Sequence, residues 1–97
     1  HLIAYNMVNL IAGKSNRDTL LEFAASGFKD FSRIAGSSPE VWKDISLANK
    51  TAILNDLDLF VKEINKTASL IKNEDYVALE KYFEVASKIR KNWSEKN

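Results

Sequence analysis

Helix breakers are scarce in this chain of 97 residues, and their placement dictates most of what it can fold into. It holds three glycines and one proline. Gly13, Gly27, Gly36 and Pro39 each stand where a helical pattern starts or stops, because glycine frees the backbone and proline cannot continue a turn that needs its N–H. Between them the apolar residues recur at spacings of three and four. No segment alternates with period two over a strand's length, and no Asn-Gly or Asp-Gly hairpin turn occurs. The expected fold class is all-α, a helical bundle of about five to six helices.

Leu2 to Ala12 reads as a first helix, apolar most of the way round and therefore buried or at an interface. Gly13 is placed to end it in a left-handed cap. Ser15 or Asn16 can cap a second helix from Arg17 to Ala25, with Asp18 at its positive end. Ser26-Gly27 breaks the pattern, and Phe28 to Ala35 reads as a short third helix closed by Gly36. Ser38-Pro39-Glu40 is a strong start signal: a capping hydroxyl, a preset φ and an acid that complements the dipole. From there the pattern runs to about Lys72 without glycine or proline. Asn49 offers a joint near Ala48 to Lys50, so this stretch is one helix or two. Asn73-Glu74-Asp75 is a second cap-plus-acid signal, opening a last helix with Leu79, Tyr82, Phe83, Ala86, Ile89 and Trp93 on one stripe.

An unbroken helix over 39–72 would be roughly 50 Å long at 1.5 Å per residue, longer than a compact domain of this size is wide. Part of its apolar stripe must then find a partner outside its own chain, and an interleaved homodimer is the simplest solution. Composition bears on the remaining classes. A hydrophobic fraction of 45% and a charged fraction of 28% suit one soluble domain, and a formal charge of +1 gives no pull toward nucleic acid or an anionic membrane. No apolar run approaches the roughly 20 residues that span a bilayer. The absence of cysteine excludes disulfides and thiolate metal sites and is compatible with the cytoplasm. The chain opens on His1, without an initiator Met, directly into an apolar helix, and so reads as a piece of a longer polypeptide.

Catalytic signatures are missing. There is no glycine-rich phosphate loop and no Gly-x-Ser-x-Gly elbow, and a single histidine excludes the His-pair metal motifs, so no metal is expected. One segment stands apart. In Gly27-Phe28-Lys29-Asp30-Phe31-Ser32-Arg33, Lys29 and Arg33 lie four apart on one helical face beside a glycine, and Trp42 follows. Such a group can hold a small dianion, Arg33 with its planar fork and Lys29 as a point charge. Plainer readings stand beside it. Arg33 can simply pair with Asp30 at i,i+3 on the surface. Trp42 is then a core anchor, Lys29 a solvated side chain, and His1 a terminal residue without a role.

The same segment resembles the region of prephenate dehydrogenases written approximately Gly-Gly-Phe-Arg/Lys-Asp-x-Thr/Ser-Arg-Ile-Ala-x-Ser-x-Pro-x-x-Trp-x-Asp-Ile. Gly27, Phe28, Lys29, Asp30, Ser32, Arg33, Ile34, Ala35, Pro39, Trp42, Asp44 and Ile45 match in register. His1-Leu2-Ile3-Ala4-Tyr5 is similar to the family's Leu-Pro-His-x-x-Ala segment. Ser26 departs from the pattern, standing where the first glycine of the pair is usual. The resemblance implies that residues 1–97 are the C-terminal helical dimerisation and substrate-binding domain, with a fold like the C-terminal part of 6-phosphogluconate dehydrogenase. It implies an N-terminal Rossmann domain, outside this chain, that binds NAD or NADP and supplies the general-base histidine. The activity it implies is oxidative decarboxylation of prephenate to 4-hydroxyphenylpyruvate in tyrosine biosynthesis. By the same resemblance Arg33 binds a substrate carboxylate, Lys29, Gly27, Trp42 and His1 line or support the pocket, and Asp30 orients Arg33.

Two other readings predict different behaviour. A non-catalytic helical interaction module would ignore small dicarboxylates. An all-helical chorismate mutase would need arginines along a long first helix, and here that helix is apolar and carries none.

Overall fold

The computed structural model describes residues 1–22 and 26–96. Six α-helices and one 3-10 turn account for nearly all of them, and no strand occurs among the described residues. The all-α expectation holds. The chain divides into two compact units, His1–Lys50 and Thr51–Asn97.

The first unit is built on α1 (Leu2–Ala12), against which α2 (Arg17–Glu22), α3 (Ser26–Ser32) and a 3-10 turn (Arg33–Gly36) pack. Ala4 is 1% exposed and is the one fully buried hydrophobic residue among those described. A methyl group at that point lets the backbones approach closely. Expectations for this unit need three corrections. Gly13 is right-handed, at φ −77° and ψ −8°, not left-handed: the Lys14 N–H reaches back to the Ile11 carbonyl, and the chain leaves the helix by a tighter turn of the same hand. Ser26 and Gly27 are the first two residues of α3, so the third helix opens two residues earlier than expected. The third helix does not run to Ala35 as α-helix; it tightens into the 3-10 turn at Arg33. The expected extension of the second helix to Ala25 falls on residues outside those described.

The start signal at Ser38 behaves as its chemistry requires. Ser38 is extended at φ −60° and ψ 117°, its hydroxyl accepts from the Val41 N–H at 3.4 Å, and Pro39 opens α4 (Pro39–Ala48). The joint near Asn49 is real. Asn49 leaves helical geometry at φ −118° and ψ 28°, its amide donates to the Ile45 carbonyl at 2.9 Å, and α5 (Lys50–Lys72) begins at the next residue. The stretch is therefore two helices, the longer about 35 Å by the standard rise.

The second unit pairs α5 with α6 (Tyr76–Lys96) across a three-residue turn. Glu74 there is the one non-glycine residue at positive φ among the described residues, 55°. Its N–H donates to Ile71 and that of Asp75 to Leu70, the bond pair of a Schellman closure in which glycine ordinarily takes the left-handed place. Asp75 then caps α6, its carboxylate accepting from the Ala78 N–H at 3.2 Å. The acid pair after Asn73 thus has two separate tasks, one of them conformationally unfavourable. Glu74→Gly is expected to raise the unfolding free energy by about 1 kcal/mol, since a left-handed L-residue costs roughly that much. A thermal melt checks it; an unchanged or lower midpoint would show that the Glu74 side chain holds something the turn needs.

Across the helix pair the Tyr82 hydroxyl donates to Glu63 at 2.5 Å, and Lys66 lies over the Tyr82 ring at 5.5 Å. The Glu63 carboxylate, first as acceptor and then as a neighbouring charge, pushes the Tyr82 phenol above its ordinary range, with desolvation adding in the same direction. The groove between the two helices measures about 560 Å³ and has Leu70, Val85 and Ile89 along its walls. No helix among the described residues is long and apolar enough to cross a membrane.

Candidate functional site

The first helix and the fourth meet through their ends. His1 is the residue before α1, and Trp42 stands in the first turn of α4. Their rings stack with centroids 3.7 Å apart and an interplanar angle of 14°. Trp42 is half-buried, so one face of the indole is taken by imidazole and the rest is only partly covered by its own chain. Beside the stack runs a shallow groove of about 270 Å³, lined by Tyr5, Asn9, Pro39, Trp42, Lys43 and Ser46 among others. Ser46 turns its hydroxyl back to the Trp42 carbonyl at 2.7 Å, one turn earlier on α4.

The contact that fixes this corner is made by a residue that sequence reasoning passed over. The Tyr5 hydroxyl donates to the Ser37 carbonyl at 2.7 Å, half-buried and 32 residues distant in sequence. The Tyr5 backbone N–H donates to the His1 carbonyl at 3.0 Å. Nothing local in the sequence marks Tyr5; only its place one helical turn after His1 puts it on the same face.

The cationic residues sit on the other packed segment. Lys29 and Arg33 are both exposed, Lys29 on α3 and Arg33 at the start of the 3-10 turn. Among the described residues the ion pairs join Arg17 to Asp18, Lys43 to Asp44 and Lys62 to Asp58, and Arg33 takes part in none of them. The surface pair with Asp30 does not form. Gly27 has ordinary helical geometry, and a Cβ added there would meet nothing within 4 Å. Nothing among the described residues therefore demands glycine at this place. Of the expected site residues, His1 and Trp42 are in contact, while Gly27, Lys29, Asp30 and Arg33 share a neighbouring segment and do not line the groove. Among the described residues no cluster of histidine or carboxylate side chains is arranged to hold a metal.

Comparison with known proteins decides the lineage. The family model described as the prephenate dehydrogenase dimerization domain matches residues 1–85. The chain belongs to that family. It is similar to a prephenate dehydrogenase of Bacillus subtilis (strain 168), 40% identical over 91 residues, which is 93% of this chain and 24% of the relative. It is also similar to a cyclohexadienyl dehydrogenase of Zymomonas mobilis, 34% identical over 92 residues, 93% of this chain and 31% of the relative. A prephenate dehydrogenase of Lactococcus lactis is 36% identical over 67 residues, 69% of this chain and 19% of the relative. The chain thus spans between a fifth and a third of the length of these relatives. No solved structure matches it. The prephenate dehydrogenase dimerisation domain is the setting in which the residues above are to be understood, and the family match takes in all of the first unit, all of α5 and about half of α6.

Proposed function

We propose that this chain is the dimerisation and substrate-binding part of a cytoplasmic, NAD- or NADP-dependent prephenate dehydrogenase of tyrosine biosynthesis, working as a homodimer. Family membership carries the reading, and the residues give it physical content. In the reaction, hydride leaves the ring carbon that bears the hydroxyl, the hydroxyl proton goes to a base, and the ring carboxylate departs as carbon dioxide as the ring becomes aromatic. The described residues include no strand and no glycine-rich phosphate turn, so the nicotinamide, which accepts the hydride, is assigned to an N-terminal Rossmann domain, as is the base.

What remains for this chain is binding and orientation. Prephenate carries two carboxylates, and Arg33, exposed and without an ion pair among the described residues, is a ready partner for one of them. Lys29, on the same face one turn earlier, adds charge. Gly27 keeps the adjoining backbone bare, and His1 on Trp42 forms the apolar wall against which a six-membered ring can lie. Asp30 serves as the acid beside Arg33 that fixes the guanidinium once substrate is bound.

The homodimer rests on surface that a lone chain has no use for. Phe60, Ile64, Ile71, Phe83 and Ile89 are each between 41% and 64% exposed. Large apolar side chains in that density along two helices mark an interface.

The test is whether the longer polypeptide oxidises prephenate with reduction of NAD or NADP. No turnover with either would sink the proposal, and turnover by the isolated 97-residue chain would refute the division of labour. A second variant examines Gly27. Gly27→Ala is expected to stabilise α3 by about 0.5 kcal/mol, because alanine is the better helix former, while weakening prephenate binding by several-fold. Stabilisation with unchanged binding would remove Gly27 from the pocket.

A further inference from the structure

Three segments carry the candidate pocket: the start of α1 with His1, the 3-10 turn that begins at Arg33, and α4 with Trp42. Tyr5 links them: its backbone N–H makes the first helical bond of α1, to the His1 carbonyl at 3.0 Å, and its side-chain hydroxyl donates to the Ser37 carbonyl at 2.7 Å. Ser37 closes the 3-10 turn, its own N–H donating to the Ile34 carbonyl at 3.2 Å. The next residue, Ser38, caps α4 through its hydroxyl and accepts the Trp42 N–H on its carbonyl at 3.2 Å. From the imidazole to the indole there is thus a continuous run of bonds: His1 carbonyl, Tyr5, Ser37 carbonyl, Ser38, Trp42. Across the same gap the two rings meet directly at 3.7 Å.

We infer that Tyr5 is a positioning residue for the substrate pocket, a strut that sets the His1–Trp42 stack and the distance from it to Arg33. The inference rests on the functional reading above only for its consequence in catalysis; the strut itself is a matter of this chain's geometry. Tyr5 also lines the groove beside Trp42, so removing its hydroxyl takes away one oxygen and leaves the ring in place.

The experiment follows Trp42 emission. The chain has two tryptophans, so Trp93→Phe leaves Trp42 as the sole indole. An imidazole stacked on an indole quenches it. In that background Tyr5→Phe is expected to brighten Trp42, His1→Ala to brighten it more, and the double variant to match His1→Ala alone, because the strut acts through the stack. An additive cycle, or no change on Tyr5→Phe, would overturn the inference. Circular dichroism confirms that Tyr5→Phe stays helical; should it unfold, His1→Ala alone keeps the idea falsifiable, since unchanged emission would mean that no stack exists to be positioned. In the full-length enzyme Tyr5→Phe is expected to raise the Michaelis constant for prephenate about fivefold with kcat nearly kept, the mark of misplaced binding groups. An unchanged constant would overturn the catalytic consequence. An enzyme that never oxidises prephenate would instead defeat the functional proposal and leave the strut to the emission cycle.

Discussion

Arg33→Ala in the full-length enzyme is expected to raise the Michaelis constant for prephenate about thirtyfold, with a smaller fall in kcat. Truncating one partner of a desolvated charge pair costs roughly 2–5 kcal/mol. The lower end applies because Arg33 is exposed in this chain. At 1.4 kcal/mol per decade, about 2 kcal/mol gives the stated factor. Arg33→Lys separates charge from shape: it keeps the cation and loses the fork, and should recover only part of the affinity. The stability of the fold supplies the control. An exposed residue with no ion pair among the described residues is replaceable within about 0.5 kcal/mol, so the melting temperature should hardly move. Steady-state kinetics decide the matter, and an unchanged Michaelis constant would return Arg33 to the surface.

The second large effect is expected at Ile64. In a single chain it lies 51% exposed on α5, and a polar replacement at such a place ordinarily changes stability by no more than about 0.5 kcal/mol. In a symmetric dimer the same residue is used twice. Ile64→Glu would then bury two carboxylates in an apolar seam, each costing several kcal/mol beyond the roughly 1.5–3 kcal/mol lost with the isoleucine. The dimer dissociation constant should rise by about three orders of magnitude or more, and sedimentation at micromolar concentration should show monomer. A variant that remains dimeric would place the seam elsewhere on α5 and α6.

How much of this was legible beforehand depended on how local the physics is. The start of α4 was readable because Ser38, Pro39 and Glu40 do their work within one turn, and the structure shows the cap they describe. The joint at Asn49 was readable for the same reason, though the choice between one helix and two stayed open. Gly27 misled. Glycine reads as a breaker between helices, yet it carries no positive φ here and sits as the second residue of α3. The residue that does take the left-handed turn is Glu74, whose type gives no hint of it. His1 and Trp42, which the family motif singles out, are in contact through their stacked rings. It also set Asp30 beside Arg33, where no ion pair forms among the described residues. The Tyr5–Ser37 bond spans 32 residues and belongs to tertiary packing, which spacing along the chain does not encode.

With Ala4 the one fully buried hydrophobic residue among those described, such a chain has almost no interior of its own with which to offset the entropy of ordering. If a second copy supplies the missing interior, folding becomes a bimolecular event. Dilution then lowers the melting temperature, as it does for any obligate dimer. A destabilising substitution anywhere in α5 or α6 is felt by both protomers, so in a cell making two versions of the chain the weaker one drags down the stronger. Fitness effects at this family's dimerisation helices should accordingly track expression level as much as residue identity.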